Sequence, residues 1–133
     1  MPIELEMALR LLLAAALGAI IGYQRERASK PAGLRTHVLI CVGAALFTVA
    51  SIYGFGALGD PARVAAGIVT GIGFLGAGAI IRGGHGIVAG LTTAATIWVV
   101  SGIGLAAGAG LYLLSAVATV IILIVLLLPH PIR

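Results

Sequence analysis

The sequence predicts an all-α membrane protein, a bundle of about five transmembrane helices. Hydrophobic residues make up 61% of the chain and charged residues only 9%, whereas a soluble domain carries charge on about a quarter of its positions. The apolar runs are long enough for helices that cross the hydrocarbon, and they lack the strict alternation of barrel strands. Glycine occupies 20 of the 133 positions, which is typical of closely packed membrane helices. Lipid is therefore the expected solvent.

The predicted spans are separated by charged or turn-forming segments. A polar stretch over residues 24–36 ends the first span, and glycines with a proline over residues 54–61 end the second. The uncharged second half is too long for one crossing, so we place a break in the glycine-rich stretch 102–110. Pro129 and Pro131 end the last helix. We expect one transmembrane domain over residues 1–133, with spans at about 7–23, 37–55, 64–81, 91–106 and 111–128 and no C-terminal cytoplasmic domain.

The positive charges predict the orientation of the bundle. Lysine and arginine concentrate in short cytoplasmic loops, and most of those in this chain fall on one side of a five-span bundle. That side includes the C-terminus, so we expect the N-terminus outside. Arg10 and Arg63 fall on the outer side near span ends, where we expect them to snorkel to the interface. The predicted cytoplasmic cations are Arg25, Arg27, Lys30, Arg35, Arg82 and Arg133.

The motif content argues against an enzyme and against a nucleic-acid partner. The net charge of +4 arises from short loops and forms no basic stripe. A GxGxxG pattern at residues 71–76 lacks the preceding strand and the downstream acid of a dinucleotide site, and no P-loop is present. His37, His85 and His130 are far apart in sequence, and we expect them at the membrane interfaces. We predict no catalytic residues and a packing role for Cys41. We predict no cofactor, with magnesium left open.

Small residues recur at every fourth position in several spans. Such ridges let helix backbones approach closely and pack by van der Waals contact. They join helices within one chain or between chains, and we expect a homo-oligomer, with a dimer favoured. A further ridge is Gly102, Ala106 and Gly110. The glycines assigned to helix packing are Gly18, Gly22, Gly67, Gly71, Gly73, Gly76 and Gly78.

Polar residues in or beside the spans are the candidates for a functional site. Thr92 and Thr96 share a face of span four, where their hydroxyls either bond back to the helix or line an ion route. Asp60 precedes a proline and fits a helix N-cap, which we weigh equally against a binding site. No carboxylate lies in mid-span, although ion routes usually carry one. The loop cations suit anionic lipid head groups, and Arg35 pairs with Glu26 if the bundle brings them together.

Four blocks of sequence, in the same order, resemble the MgtC/SapB family of bacterial inner-membrane proteins: residues 25–37, 60–63, 71–78 and 90–95. The resemblance runs from about Leu11 to the end of span five. Family members often carry a polar amide where Gly67 stands, and many have a C-terminal cytoplasmic domain beyond the point where this chain stops. By this resemblance, the functional positions are Glu26, Arg35, Asp60, Arg63, Thr92, Thr93 and the run 71–78.

The resemblance implies a protein linked to virulence, survival inside macrophages and growth in low magnesium, in some members by restraint of the F-type ATP synthase. Our first hypothesis is a non-enzymatic membrane regulator that binds a membrane protein complex, or itself, through helix contacts. The alternative is a magnesium or other cation transporter or channel, with the face of Thr92 and Thr96 and the Asp60 turn along its route. Metal ligands are not assigned.

Overall fold

The computed structural model describes residues 2–82 and 87–129, and all the regular structure in these ranges is helical. The all-α prediction is therefore confirmed. A short 3₁₀ turn, Gly56–Leu58, lies between the second and third helices. The five helices are α1 (Ile3–Arg27), α2 (Leu34–Gly54), α3 (Pro61–Arg82), α4 (Ile87–Gly108) and α5 (Tyr112–Leu126).

The helices run alternately up and down, which gives the bundle two ends. The Arg25 end contains the C-terminus of α1, the N-terminus of α2, the C-terminus of α3 and the N-terminus of α4. The Arg10 end contains the opposite termini of these helices and the start of α5. Each candidate site residue can be assigned to one of these ends.

Four helices are long and apolar enough to cross a membrane, and α5 is shorter. Its 15 residues correspond to about 22 Å of helix, against a hydrocarbon thickness of about 30 Å. α5 runs antiparallel to α1 and is attached near both ends, because Arg10 Nε donates to Tyr112 Oη and Gln24 Nε2 donates to Leu126 O. The two helices are thus held together over the stretch of α1 between Arg10 and Gln24.

The turn between α4 and α5 is shorter than the predicted break. α4 continues through Gly102 and Gly104 to Gly108, so the glycines of that stretch are mostly helical. Only residues 109–111 separate the two helices, and Gly110 adopts a φ of +85° there. Glycine suits this left-handed backbone because it has no Cβ. A high glycine content therefore did not end the helix, and two of its glycines, Gly104 and Gly108, pack against α2.

The core lies where α1, α2 and α4 meet. A Cβ atom built on Gly104 would lie 2.2 Å from Cys41 O, and one built on Gly108 would lie 2.7 Å from Ala45 O. Gly18 and Gly22 of α1 approach the first turns of α2 as closely, with built Cβ atoms 2.8 Å from His37 O and Leu34 Cα, respectively. Four glycines thus let two helices contact the backbone of α2, whose Cys41 is fully buried.

α3 packs on α4 alone along most of its length and is largely exposed. The contact is closest toward the Arg25 end, where a Cβ built on Gly90 would lie 3.2 Å from Ile80 Cα. A Cβ built on Gly76 would lie 3.5 Å from Ala94 Cβ, an ordinary van der Waals distance. Toward the Arg10 end, α3 diverges from α2 and leaves a groove between them.

Candidate functional site

Arg25 is a buried cation at the Arg25 end. Its side chain is 2% exposed, and Nη2 donates to Thr93 Oγ1 of α4 at 2.9 Å. The Nε atom has no hydrogen-bond partner among the described residues, and no carboxylate there pairs with this guanidinium. Arg25 therefore joins α1 to α4 through a hydroxyl, and no carboxylate of the described residues neutralises its charge.

His37 lies next to this contact, in the second turn of α2. The side chain is 0% exposed and therefore lies inside the bundle, and its expected depth at the membrane interface stays a prediction. Its Nδ1 atom donates to Gly33 O at 2.8 Å, while Nε2 is buried and finds no partner in the part of the chain that the structure describes. α1 approaches closely here, because a Cβ atom built on Gly22 would lie 3.1 Å from His37 Cβ. His85 and His130 lie outside the described residues.

The loop between α1 and α2 is organised by Glu26. Its Oε1 atom accepts the backbone N–H of Leu34 at 3.0 Å, at the start of α2, where free N–H groups and the helix dipole favour a carboxylate. Arg35 is exposed and forms no ion pair with Glu26. The bundle therefore uses Glu26 as a helix cap and leaves Arg35, with Arg27 and Lys30, on the surface.

Arg10 forms the corresponding cluster at the Arg10 end. The side chain is 7% exposed, so the expectation that it snorkels to the interface is wrong. Nη1 donates to Gly108 O, the last carbonyl of α4, at 3.0 Å, and Nε donates to Tyr112 Oη at 3.1 Å. Nη2 forms an ion pair with Glu6 one turn earlier in α1, and the guanidinium lies 5.3 Å from the ring centre of Tyr53. This cluster holds α1, α2, α4 and α5 together.

Asp60 and Arg63 lie at the same end, at the start of α3. Asp60 Oδ1 accepts the N–H of Ala62 at 3.0 Å, in agreement with the capping interpretation. Both side chains are exposed, and neither forms an ion pair within residues 2–82 and 87–129. They are at the opposite end of the bundle from Glu26 and Arg35, so these four residues do not form one site.

The threonines of α4 have unequal roles. Thr93 is buried and accepts the bond from Arg25. Thr96 donates to Thr92 O at 2.7 Å, which is the back-bonded arrangement common in membrane helices. The hydroxyl of Thr96 is thereby bonded within its own helix. Among the predicted site residues, Thr93 contacts a buried charge, that of Arg25.

The exposed surface of α3 carries two lines of residues, one made of small residues alone and one in which three glycines accompany Phe74. A Cβ atom built on any of its four exposed or half-buried glycines would have no described atom within 4 Å beyond its own helix and chain neighbours. Residues spaced by three or four positions share one side of a helix. The Gly67 line consists of Gly67, Gly71, Phe74 and Gly78. The Gly73 line consists of Ala66, Thr70, Gly73 and Ala77, all exposed.

The groove between α2 and α3 adjoins the Gly67 line. It has a volume of about 520 Å³, is open to the surroundings and is lined by apolar side chains and glycines. Gly43 on α2 has no described atom within 4 Å of a built Cβ, like Gly67 and Gly71 opposite it. The lining residues are Leu39, Ile40, Gly43, Ala44, Phe47, Val64, Gly67, Ile68, Gly71, Ile72 and Leu75.

The described residues bring no metal-binding cluster together. No group of three or more His, Cys, Asp or Glu side chains within residues 2–82 and 87–129 is close enough to hold a metal ion. Glu4, Glu26 and Asp60 are exposed, and Glu6 is partly exposed in its pair with Arg10. Among the side chains whose burial the structure describes, the buried charged ones are Arg10 and Arg25.

Comparison with known proteins decides the family. The MgtC family matches residues 11–133, nearly the whole chain. The chain belongs to the MgtC family. It is a multi-pass bacterial membrane protein of that family, with helices long and apolar enough to cross a bilayer. No solved structure matches the chain.

Several MgtC-family relatives are similar over most of this chain. "Putative magnesium transporter YhiD" of Escherichia coli K12 is 48% identical over 132 residues, which are 94% of this chain and 61% of the relative. "Protein MgtC" of Brucella abortus is 50% identical over 115 residues, 86% of this chain and 48% of the relative. "Protein SapB" of Bacillus subtilis is 40% identical over 117 residues, 83% of this chain and 50% of the relative. The chain thus spans about half to three-fifths of the length of these relatives.

The residues that sequence reasoning missed are the buried ones. Arg10, Arg25 and His37 were assigned to interfaces or loops because charged side chains usually avoid lipid, yet all three lie inside the bundle. One signal was available, since Glu6 and Arg10 have the i, i+4 spacing of a helical ion pair. Gly104 and Gly108 have the same spacing but were overlooked beside the ridge of Gly102.

Proposed function

We propose that this chain is a non-enzymatic regulator of the bacterial inner membrane that acts by binding another membrane protein complex through the exposed side of α3. The resemblance to the MgtC/SapB family makes the F-type ATP synthase our candidate partner, and it links the chain to growth in low magnesium and survival inside macrophages. The proposed orientation has the N-terminus outside and the exposed cations Arg27, Lys30 and Arg35 at the cytoplasmic face.

The observation that supports this proposal is the Gly73 line of α3. Its four members are small and exposed, whereas the exposed residues of α5 are bulky aliphatic side chains such as Leu113, Val120 and Ile124. Bulky aliphatic side chains suit contact with lipid chains, and small residues favour the close approach of a second helix. A protein partner therefore explains the composition of this side of α3.

The charges inside the bundle argue against a cation route. Arg25 and Arg10 are buried at opposite ends, and all four carboxylates of the chain are exposed or partly exposed. A cation that entered the bundle would meet a positive charge at either end with no buried acid to offset it. Cation transport, the activity that the name of YhiD states, is the alternative function.

The central test is recovery of the ATP synthase with the full-length chain. We expect the tagged chain, expressed at native level and extracted in mild detergent, to carry ATP synthase subunits with it. ATP-driven proton pumping in inverted membrane vesicles should be lower when the chain is present. Gly73→Leu should reduce both effects, because its side chain would separate the two helices.

The matched control is Val120→Leu, which alters an exposed aliphatic position on α5. It should leave recovery and pumping at the wild-type level. Failure of the wild-type chain to recover the ATP synthase, together with unaltered pumping, would contradict the proposed partner.

The transport alternative needs a separate measurement. Purified chain in liposomes that contain a magnesium-sensitive dye should give no uptake above that of empty liposomes. Magnesium uptake that Asp60→Asn abolishes would replace the regulator hypothesis with a transporter. Thr96→Val is the companion variant, because the Thr96 hydroxyl is bonded within its own helix and should not affect a route.

A further inference from the structure

We infer that the Gly67 line of α3 is the surface through which two copies of this chain bind each other, side by side and parallel. The inference rests on the proposed function, because it takes the exposed side of α3 to bind protein. It proposes that a second copy of the chain binds one of the two lines. The Gly73 line on the other flank of the exposed surface is left for the heterologous partner. The two lines are separate stripes of the same helix.

The backbone of α3 is accessible along this line. Three of its four residues are glycine, and no described atom beyond their own helix and chain neighbours lies within 4 Å of a Cβ built at Gly67, Gly71 or Gly78. Inside the bundle, the glycine pair Gly18 and Gly22 has the four-residue spacing of Gly67 and Gly71 and is covered by α2. A partner helix would cover the second pair in the same way.

Phe74 provides the complementary protrusion. It is 82% exposed and stands on the same side of α3 as the glycines on either side of it in the line. In a symmetric pair, each Phe74 would enter the hollow that the partner's Gly71 and Gly78 leave. A two-fold interface requires one surface to carry both the protrusion and the hollow, and the Gly67 line carries both.

The charges at the start of α3 are self-complementary as well. Arg63 lies four residues before Gly67, on the same side of the helix, and Asp60 lies one turn before Arg63. Both are exposed and form no ion pair with other residues of the described ranges. Two copies inserted in the same orientation are related by an axis along the membrane normal, so their α3 helices run parallel. Arg63 of each copy then lies about one helical turn, roughly 5 Å in depth, from the partner's Asp60. The long arginine side chain can span that offset, which gives two reciprocal ion pairs.

This arrangement favours a second copy over lipid or an unrelated helix. Lipid chains would cover apolar surface but would offer nothing to Asp60 and Arg63. An unrelated helix would need a matching acid and base at the same depth, whereas a second copy supplies them by symmetry. A dimer through α3 also leaves the core helices α1, α2 and α4 of each copy unchanged.

A disulfide test locates the contact. Full-length Gly67→Cys in native membranes should form a crosslinked dimer under mild oxidation, at least about tenfold faster than copies that meet by collision. The collision rate is measured with Val120→Cys, which places the new side chain at an exposed position of α5. Equal crosslinking of the two variants would overturn the inference.

A charge-exchange test identifies the partner as a second copy. Arg63→Asp gives a chain with two acids at the start of α3, and Asp60→Arg gives one with two cations. Each variant alone should dimerise about fivefold more weakly, because exposed charge interactions are individually modest. Two differently tagged populations, one of each variant, should form mixed dimers at the wild-type level. A loss of helix capping in Asp60→Arg cannot restore association, so recovery in the mixture reports the pairing itself.

The outcomes separate this inference from the proposed function. Strong Gly67→Cys crosslinking and recovery in the charge mixture support the dimer, whether or not ATP synthase is recovered. Crosslinking of Gly67→Cys only to other proteins, or the absence of recovery in the mixture, overturns the dimer. If the dimer is overturned in this way, the proposed function still stands when the wild-type chain recovers ATP synthase and Gly73→Leu does not.

Discussion

Two pairs of glycines in this protein share a four-residue spacing but differ in packing, because one pair contacts another helix closely and the other pair is open. In the core, Gly104 and Gly108 approach the backbone of α2 so closely that added Cβ atoms would collide with it. On α3, Gly67 and Gly71 have no such neighbour among the described residues outside their own helix. The spacing therefore predicts a surface that a helix can approach. The structure shows which of these surfaces contact a helix of the same chain and which remain open to another molecule.

The largest expected difference is at Gly104. Gly104→Ala should lower the free energy of unfolding in detergent by about 3 kcal/mol, since the added Cβ would lie 2.2 Å from Cys41 O, a backbone atom that cannot rotate away. The measurement is equilibrium unfolding in mixed micelles. Gly102→Ala, two residues away in the same helix, is the control and should change stability by no more than about 1 kcal/mol. Equal losses of unfolding free energy for the two variants would contradict the distinction between packed and open glycines.

The next effect concerns the attachment of α5. Arg10→Met should lower the free energy of unfolding by about 2 kcal/mol, because the donors to Gly108 O and Tyr112 Oη are lost. Protease accessibility of α5 should rise at the same time. Lys30→Met, at an exposed loop position, controls for the loss of a positive charge. The hypothesis of a structural Arg10 cluster fails if α5 stays as protected as in the wild type.

A smaller effect is expected at the opposite end. Thr93→Val removes the acceptor of the Arg25 guanidinium and should lower stability by about 1 kcal/mol. Thr96→Val removes a hydroxyl that bonds only within α4 and should have less effect. The two substitutions have the same size and lie one turn apart, so their difference measures the contact between α1 and α4. A larger loss for Thr96→Val would contradict the assignment of that contact to Thr93.

The smallest effect is expected on the open side of α3. Gly73→Ala should leave the free energy of unfolding unchanged or raise it by no more than about 1 kcal/mol, because alanine favours helix and the new methyl group meets no described atom. The same unfolding assay measures it, and Gly104→Ala in the same assay provides the contrast. A loss comparable to that of Gly104→Ala would mean that this side of α3 is packed within the chain.

The helices could be predicted because their causes are local. Apolar length, charged loops and proline positions define a helix without reference to its neighbours. Even so, the glycine content gave a wrong prediction at the end of α4, because the break was expected over residues 102–110 and the helix continues to Gly108. In water, glycine weakens a helix, and in this bundle it serves close contact with α2 instead.

The buried polar contacts could not be predicted in the same way, because they join residues far apart in sequence. Arg25 meets Thr93, and Arg10 meets Gly108 and Tyr112, through packing that no single segment specifies. The resemblance to known proteins singled out Thr93 without giving its partner. Asp60 was the exception, since an N-cap depends on the two residues that follow it.

Because Cys41 is enclosed by the core helices, this native cysteine can report when the core opens. The residue is 0% exposed, with Gly18 of α1 and Gly104 of α4 against it. A membrane-permeant alkylating reagent can reach its sulfur only when those helices separate. The labelling rate in intact cells therefore measures how often the helix bundle opens locally. The measurement needs no engineered residue and no extraction from the bilayer.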